Sequence, residues 1–181
     1  MLDEEVLIVQ LKDPQTREAS YRTLISTHKE RLYWHIRKIV LNHEDTDDIL
    51  QNTFIKVFKH IDTFKGDSKL YSWMYRIATN ESLSFLNKKA KQMKTDLSDL
   101  QEQRVQNLKA DVYFDGDEIQ LKLQEAIISL PQKQQLVFNM RYFDDMKYEE
   151  ISDILDTSVG ALKASYHHAR KKIELQLMNK E

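Results

Sequence analysis

Apolar residues recur at helical spacing through the first half of the chain. In the segment 21–41 the apolar positions lie three, four or seven residues apart, which predicts an amphipathic helix. A second stripe of the same kind occupies 49–61, after a polar stretch. We expect a third helix to begin near Ser68 and to run past Lys89, with Ser68 or the preceding Asp67 as its N-cap.

The pattern changes after about residue 92. The segment 93–117 is acidic and weakly periodic, which is typical of a linker with at most one transient helix. Further helical patterns follow over 118–129, 132–143, 147–155 and 158–178. Three glycines and two prolines in 181 residues are too few to interrupt these patterns often. We therefore predict an all-α protein, with helical domains over 1–92 and 118–181 joined by a flexible linker over 93–117.

Composition narrows the class of protein. A hydrophobic fraction of 41% in a chain of 181 residues can bury one core, or two small ones. The chain has no cysteine, which removes disulfides and thiolate metal sites and fits a reducing compartment. The N-terminal segment lacks the basic start and long apolar run of a signal peptide, and no stretch approaches a membrane span. We expect a soluble, cytoplasmic protein.

Local charge is more informative than the net charge of −2. Residues 59–94 are predominantly basic, and 95–125 are predominantly acidic. Near the C-terminus, 158–172 contains no acid, whereas 144–156 is rich in acids. A solvated helix face would explain each basic segment separately, and contact with nucleic-acid phosphates would explain both. In the second case we expect the acids of the helix that precedes 158–172 to face solvent.

The last two helical patterns have the spacing of a helix-turn-helix unit: "YEEISDIL", a three-residue turn, and "VGALKASYHHARKKI". Ser158 is a good N-cap for the second helix. Lys163, His167, Arg170 and Lys171 lie three, four or seven residues apart, so they can share one groove-facing surface. A helical hairpin with a basic face would show the same spacing.

Aromatic and basic residues are interleaved in the segment 64–76. They are Phe64, Lys65, Lys69, Tyr71, Trp73, Tyr75 and Arg76. Aromatic faces stack on unpaired bases for ~1–3 kcal/mol each, while nearby cations hold the backbone. The alternative is that these rings belong to the core, and for Trp73 both roles are open.

Two long segments resemble one family. "DTDDILQNTFIKVFKHIDTFKGDSKLYSWMYRIATNESLSFLNKK" resembles region 2 of bacterial sigma-70-type factors of the extracytoplasmic-function (ECF) group. "LPQKQQLVFNMRYFDDMKYEEISDILDTSVGALKASYHHARKKIE" resembles region 4. The resemblance covers roughly 18–91 and 121–174, in the order of the family. It implies a sigma factor that binds core RNA polymerase through the β′ and β subunits, directs it to −35 and −10 elements and promotes initiation.

The same resemblance implies further partners and site residues. It implies promoter DNA and an anti-sigma factor, often membrane-anchored, as partners, with no catalytic residues, cofactor, metal or small-molecule substrate. Polymerase binding is implied for Asp45, Asp48, Ile49, Gln51, Asn52 and Phe54. Recognition and melting of the −10 element are implied for Phe64, Lys65, Asp67, Ser68, Lys69, Tyr71, Trp73, Arg76 and Asn80. Recognition of the −35 element is implied for Tyr148, Ser158, Gly160, Ala161, Lys163, Ala164, Ser165, His167, His168, Arg170 and Lys171.

Some residues depart from the pattern of the family. Asn52 stands where an acid is common, and Asp156 replaces the usual glycine of the turn. Asp tolerates the left-handed backbone conformation better than most residues. Ser165 and His168 stand where arginines are frequent, which removes candidate bidentate contacts to guanine. We therefore expect a −35 sequence that differs from the better-known type.

Two other classes of protein explain the sequence less well. A helix-turn-helix regulator that does not bind polymerase would leave the pattern over 45–91 unexplained. The chain has no Gly-rich phosphate loop, His-Glu-x-x-His run or nucleophile elbow, which disfavours an enzyme. Its six histidines do not show metal-ligand spacing.

Overall fold

A computed structural model of the chain describes residues 3–93, 99, 103–106 and 118–178. These residues form helices and connecting turns, with no strand among them, so the all-α prediction is confirmed. The first helices are α1 (Glu4–Lys12), α2 (Arg17–Val40), α3 (His43–His60) and α4 (Leu70–Met93), with a 3-10 turn at Ile61–Thr63. The later helices are α5 (Glu118–Ile128), α6 (Gln132–Tyr142), α7 (Tyr148–Leu155) and α8 (Val159–Met178).

The bounds of α5 to α8 agree with the predicted segments to within one residue at each end. Most of the predicted linker lies outside the described residues, so its flexibility stays a prediction. Within it, the short described segment 103–106 is helical.

Helix α1 is absent from the sequence-based predictions, although the sequence carries signals for it. The side chain of Asp3 accepts a hydrogen bond from the backbone N–H of Glu5 at 3.4 Å, which is an N-cap interaction. Leu7 and Leu11, one helical turn apart, are both buried. Pro14 follows soon after the helix ends, as is common after a C-terminus.

The predicted start of the third helix is wrong by about one half-turn. Helix α4 begins at Leu70, and neither Asp67 nor Ser68 caps it. The backbone N–H of Leu70 instead donates to Glu4 Oε1 at 2.9 Å. This hydrogen-bond acceptor is distant in sequence, which is why local sequence signals misplace the start of α4.

One cluster of buried side chains joins the two predicted domains. Ile36 of α2 and Met74 of α4 share this cluster with Leu136 of α6 and with Ile151 and Ile154 of α7. A second, smaller core lies between α5, α6 and α8. The two halves of the chain are therefore packed against each other, while the division into domains at the predicted bounds stays a prediction.

A buried polar cluster lies at this contact between the halves. Asp144, in the loop between α6 and α7, accepts a hydrogen bond from Lys38 Nζ, and its second oxygen is 3.6 Å from His35 Nδ1. His35 Nε2 lies 2.8 Å from Thr79 Oγ1, which itself donates to the carbonyl of Tyr75.

Burial has opposite effects on the two titratable groups of this pair. It lowers the pKa of His35, whose side chain is almost completely enclosed. Burial by itself would raise the pKa of Asp144, but the contacts with His35 and Lys38 outweigh it and the pKa is lowered. The cluster is therefore best described as a neutral histidine beside a carboxylate paired with Lys38.

Residues of the predicted linker also contact both halves. The side chain of Arg104 is buried and donates to the carbonyl of Ile39 at 2.5 Å and to Gln135 Oε1 at 3.1 Å. Burial lowers the pKa of Arg104 to about 10. A linker residue thus hydrogen-bonds the end of α2 and the first turn of α6 at the same time.

Because His35 is buried and neutral, we expect the stability of this packed arrangement to depend on pH. Below an ordinary histidine pKa of about 6.5, the unfolded chain takes up a proton that the folded chain resists, so the free energy of unfolding decreases as pH falls. Substitution His35→Gln should reduce the loss of stability between about pH 7.5 and about pH 5.5 in urea denaturation. His60→Gln, at an exposed histidine, is the control. Equal pH dependence in the wild type and His35→Gln would contradict the prediction.

Candidate nucleic-acid interface

The predicted polymerase-binding residues divide into an exposed group and a buried group on α3. Asp48, Gln51 and Asn52 are exposed and lie three or four residues apart, so they share one side of the helix. Ile49 and Phe54 are only 2% and 7% exposed and belong to the core. The prediction that these two side chains face a partner is not met in this arrangement, because they lie on the stripe of α3 that packs in the core.

Two exposed apolar residues on α3 are absent from the predicted site residues, although Phe58 belongs to the predicted apolar stripe 49–61. Ile55 and Phe58 are 43% and 41% exposed, and Ile55 follows Gln51 by one helical turn. Large apolar side chains beside an exposed polar group are typical of a contact surface. We call Asp48, Gln51, Asn52, Ile55 and Phe58 the α3 patch. Its apolar members were detectable from their spacing after Gln51.

Asp45, the first predicted polymerase contact, is already engaged within the chain. Its backbone N–H donates to the side chain of Asn42 at 2.8 Å, which caps the start of α3. Its carboxylate accepts a hydrogen bond from Lys89 Nζ at 2.8 Å. Asp45 thus links the start of α3 to the last turns of α4.

The aromatic residues of the predicted −10 segment are not equally accessible. Phe64 is only 4% exposed, and its ring centroid lies 5.1 Å from that of partly buried Trp73. Tyr75 is 1% exposed. Phe64 therefore belongs to the core in this structure, contrary to the expectation that its ring faces DNA. The 3-10 turn just before it directs the side chain inward, a local geometry that periodicity does not reveal.

The loop that follows Phe64 is exposed. Lys65, Asp67 and Lys69 are exposed, and Ser68 is partly exposed. Gly66 has φ +79°, a left-handed conformation that favours glycine, and no atom lies within 4 Å of the position of a Cβ there. The loop therefore projects its polar side chains into solvent.

Three predicted −10 residues contact α7 in this structure. Lys69 Nζ lies 2.9 Å from Glu150 Oε1, and the hydroxyl of Tyr71 also hydrogen-bonds Glu150. Arg76 Nε donates to the carbonyl of Asp153 at 2.9 Å. The expectation that the acids of this helix face solvent is therefore wrong for Glu150, because the packing of α7 on α4 brings its carboxylate to Lys69 and Tyr71.

These contacts perturb the titration of both partners. Burial would raise the pKa of Glu150, but hydrogen bonds from Tyr71, Lys69 and the backbone N–H of Lys147 lower it to about 2. Burial, with a smaller contribution from Glu150, raises the pKa of Tyr71. Glu150 is thus a carboxylate over the whole physiological range.

Next to the contact between α4 and α7, a cavity lies between α4 and the start of α6. It has a volume of about 460 Å³ and is lined on one side by Arg76 and Asn80, both predicted −10 residues. Lys133, Asp156 and Thr157 line the other side. The predicted −10 surface and the turn between α7 and α8 therefore face each other across a narrow space.

The predicted helix-turn-helix unit is present in α7 and α8. Asp156 has φ 49°, so it adopts the left-handed conformation expected for this turn. Ser158 Oγ accepts a hydrogen bond from the backbone N–H of Ala161 at 3.4 Å, which confirms it as the N-cap of α8. The exposed residues of the predicted −35 set are Ser158, Gly160, Ala161, Lys163, Ala164, His167, His168, Arg170 and Lys171. Tyr148 and Ser165 are partly exposed.

Cations surround Tyr148 at one end of this surface. Lys163 Nζ lies 5.8 Å from the centroid of its ring, and the guanidinium of Arg141 lies at 5.6 Å. Arg141 is absent from the sequence-based predictions, since it lies on α6 and no spacing rule relates it to α8. Arg170 is paired with Glu174 at 2.9 Å, so its charge is partly balanced. Lys163 is thus a more available cation than Arg170.

Two other kinds of feature are not found in the described part of the chain. Among the residues that the structure describes, no group of three or more His, Asp or Glu side chains is arranged to hold a metal ion. Within the same ranges, no helix is both long enough and apolar enough to cross a membrane.

Comparison with known proteins decides the family. The family model "Sigma-70 region 2" matches residues 24–92, and the model "Sigma-70, region 4" matches residues 120–173. The chain belongs to the sigma-70 family. The two matched ranges contain the α3 patch, the exposed loop after Phe64 and most of α8, in the order that the resemblance implied.

Individual relatives place the chain in the ECF group. It is 29% identical to RNA polymerase sigma factor SigV of Bacillus subtilis (strain 168), over 94% of this chain and 99% of the relative. It is 26% identical to ECF RNA polymerase sigma factor SigW of the same strain, over 87% of this chain and 89% of the relative. The chain is thus a sigma factor, which binds core RNA polymerase and directs it to promoters, and the alternative of a regulator without polymerase binding is rejected.

The fold is similar to that of a solved sigma factor. In the complex of the sigma factor RpoE with the anti-sigma factor NepR from Bartonella quintana, the RpoE fold matches with a TM-score of 0.67 at 18% identity. The match covers 87% of this chain and 96% of that chain. At this level of identity the similarity concerns the fold alone.

Proposed function

We propose that the two halves of this sigma factor divide the work of promoter recognition. Residues 1–92 bind core polymerase and the −10 element, residues 118–181 bind the −35 element, and 93–117 connect them. The observation that carries this proposal is that two separate exposed surfaces, the α3 patch and the basic face of α8, lie in the region 2 and region 4 matches respectively. The chain acts inside the cell and has no catalytic activity of its own.

The α3 patch is the proposed polymerase surface. It combines a carboxylate, two amides and two exposed apolar side chains on one side of a helix. Such a patch suits a protein partner, because the apolar groups gain from burial while the polar groups select the orientation. Ile49 and Phe54 support the patch from the core side of α3.

The exposed loop around Gly66 and the adjacent face of α4 form the proposed −10 surface. Lys65 and Lys69 supply positive charge for the DNA backbone, and Tyr71 and Trp73 supply aromatic faces for unpaired bases. Phe64 supports this surface from the core side, because its ring packs against Trp73 and limits the movement of that indole.

The N-terminal half of α8 is the proposed −35 reader. Recognition helices usually contact base edges with their N-terminal portion and phosphates elsewhere. Lys163, Ser165 and His167 are therefore assigned to bases, and Arg170 and Lys171 to phosphates. Arg141, beside Tyr148, adds a further cation at the base-reading end.

Regulation by an anti-sigma factor is also proposed. It is supported by membership in the ECF group and by the similarity in fold to RpoE, whose solved structure contains the anti-sigma factor NepR. A partner that binds across both halves would keep the polymerase and promoter surfaces from acting together.

Promoter binding requires the two halves to separate. Lys69 lies 2.9 Å from Glu150 of α7, and α8 begins just after the turn that ends α7. The proposed −10 and −35 surfaces are thus separated by little more than α7, whose eight residues span about 12 Å. The two promoter elements lie about 25 base pairs apart, which is roughly 85 Å along B-form DNA. One closed chain cannot span that distance.

Reversing one charge in the α3 patch should weaken polymerase binding. We expect Asp48→Arg to cost ~2–3 kcal/mol of affinity for core polymerase, because the reversed charge would be desolvated in the interface. The measurement is a fluorescence titration of the labelled chain with core polymerase, followed by reconstituted transcription with mapping of RNA 5′ ends. Glu30→Arg, at an exposed acid of α2 outside the patch, is the matched control. A fully folded Asp48→Arg chain with unchanged affinity would exclude the patch.

Replacing Lys163 or Lys171 of α8 by alanine should have different effects on DNA binding. Lys171→Ala should weaken binding to all duplexes alike and lower the salt dependence by about one unit, because a phosphate contact is lost. Lys163→Ala should cost ~1–3 kcal/mol mainly on the preferred −35 element, because a base contact is lost. Selection from randomised −35 DNA by the reconstituted holoenzyme measures both effects. The assignment of α8 as the reader is wrong if Lys163→Ala leaves the selected sequence and its affinity unchanged.

Holding the halves together should block initiation. The chain has no cysteine, so Lys38→Cys with Asp144→Cys introduces a unique pair for a short, reducible bis-maleimide linker. We expect that the linked chain neither binds both promoter elements at once nor initiates transcription, since the linked halves cannot span both elements. Reduction of the linker should restore activity. The two single-cysteine variants treated with the same linker are the controls. Equal initiation before and after reduction would show that opening is unnecessary.

A further inference from the structure

The −10 loop, defined here as residues 62–70, is tied at its start to the N-terminal part of the chain. Arg17 Nη2 lies 2.6 Å from Asp62 Oδ1. Lys12 Nζ donates to the carbonyl of Phe64 at 2.6 Å. The first contact holds a side chain and the second holds the backbone, so the direction in which the loop leaves the 3-10 turn is determined by residues outside it.

The end of the loop is hydrogen-bonded to helix α1. Leu70 is the first residue of α4, and its backbone N–H has no partner within that helix. Glu4 Oε1 accepts this N–H at 2.9 Å. A carboxylate at a helix N-terminus also interacts favourably with the helix dipole. Glu4 therefore determines where α4 begins and, with it, the positions of Tyr71 and Trp73 in its first turn.

Helix α1 is itself anchored firmly enough to hold the loop. Leu7 and Leu11 are buried in the main core. Arg17 Nε also donates to the carbonyl of Leu11 at 2.8 Å, so the guanidinium that pairs with Asp62 is fixed on both sides. Buried apolar contacts thus anchor α1, which carries Glu4 and Lys12, and the first residue of α2, Arg17, supplies the third polar contact to the loop. We call these three polar contacts the clamp.

Between these fixed points the tip of the loop around Gly66 is exposed, although Lys69 at its end pairs with Glu150 of α7. Lys65, Asp67 and Lys69 are exposed, and the space around Gly66 is open. A loop with fixed ends and an exposed tip is preorganised: its polar groups are presented to a ligand without a large loss of conformational freedom on binding.

We propose that Glu4, Lys12 and Arg17 are positioning residues for −10 recognition, which hold the −10 loop and the start of α4 in the geometry that captures unpaired promoter bases. They touch no DNA themselves. This inference rests on the proposed −10 function of the loop and adds helix α1 and the first residue of α2 to that function.

The test measures binding of holoenzyme, assembled from the full chain and core polymerase, to a single-stranded −10 oligonucleotide. Its sequence is taken from promoters mapped with the wild-type holoenzyme. We expect Glu4→Ala to weaken this binding about fivefold, the size of the loss of one helix cap. Lys12→Met should have a similar effect, and Lys12→Arg, which keeps a donor, should restore most of the binding.

Each variant has a matched control. Glu5→Ala removes the same charge from the adjacent exposed position of α1, whose carboxylate makes no hydrogen bond or ion pair with the described residues, and should leave binding unchanged. Affinity for core polymerase and for duplex −35 DNA should also be unchanged in all variants. These readouts would fall together with −10 binding if the substitutions only destabilised the fold.

The outcomes separate this inference from the function on which it rests. If Glu4→Ala and Lys12→Met bind the oligonucleotide as tightly as the wild type, the clamp is not a positioning device. If they lose −35 and core binding in the same proportion, the role of α1 is purely structural and the inference is overturned. If the wild-type holoenzyme itself fails to prefer the −10 strand, the proposed −10 function has failed instead.

Discussion

The apolar face of α7 determines how the two halves of this sigma factor meet. Ile151 and Ile154 are 0% and 3% exposed and share one core with Met74 of α4. Full burial of an aliphatic side chain contributes ~1.5–3 kcal/mol, whereas an exposed ion pair contributes at most about 1 kcal/mol. The position of α7 on α4 is therefore set by apolar packing, and the polar contacts at its edges follow from that position.

The buried cluster around Asp144 has a different effect. A carboxylate removed from water is costly unless it is paired, and Lys38 supplies the pairing charge. Such a pair adds little net stability compared with apolar residues of the same size, but it strongly disfavours any arrangement that buries the carboxylate without the lysine. Asp144 and Lys38 thus select one relative position of the loop before α7 and α2, while the apolar core provides the stability.

The contacts between α7 and the proposed −10 surface are suited to being replaced by DNA. The side chain of Lys69 is 60% exposed in its pair with Glu150, so water and salt screen the interaction. A DNA backbone presents many phosphates at once and releases counterions when they are neutralised. One carboxylate on α7 therefore competes weakly for the same cations. The sorting of charge between α7 and α8 has a use on both sides: one acid of α7, Glu150, meets the chain's own Lys69, and the basic residues of α8 remain exposed for duplex DNA.

Local sequence signals were sufficient for much of the secondary structure. The four C-terminal helices, the N-cap at Ser158 and the left-handed turn at Asp156 were predictable because each depends on residues within a few positions. The exposure of the basic residues on α8 was predictable for the same reason, since helical spacing alone groups them on one face. The family resemblance, which the two region matches support, was also visible in the sequence.

Tertiary structure decided the features in which residues far apart in the chain meet. Phe64 is buried because a 3-10 turn directs it into the core, and α4 starts at Leu70 because Glu4 caps it. Glu150 faces Lys69 rather than water because α7 packs on α4. Hydrophobic periodicity identifies which face of a helix is buried but not which helix covers it. These contacts were therefore determined by the packing of whole helices, which no local sequence pattern specifies.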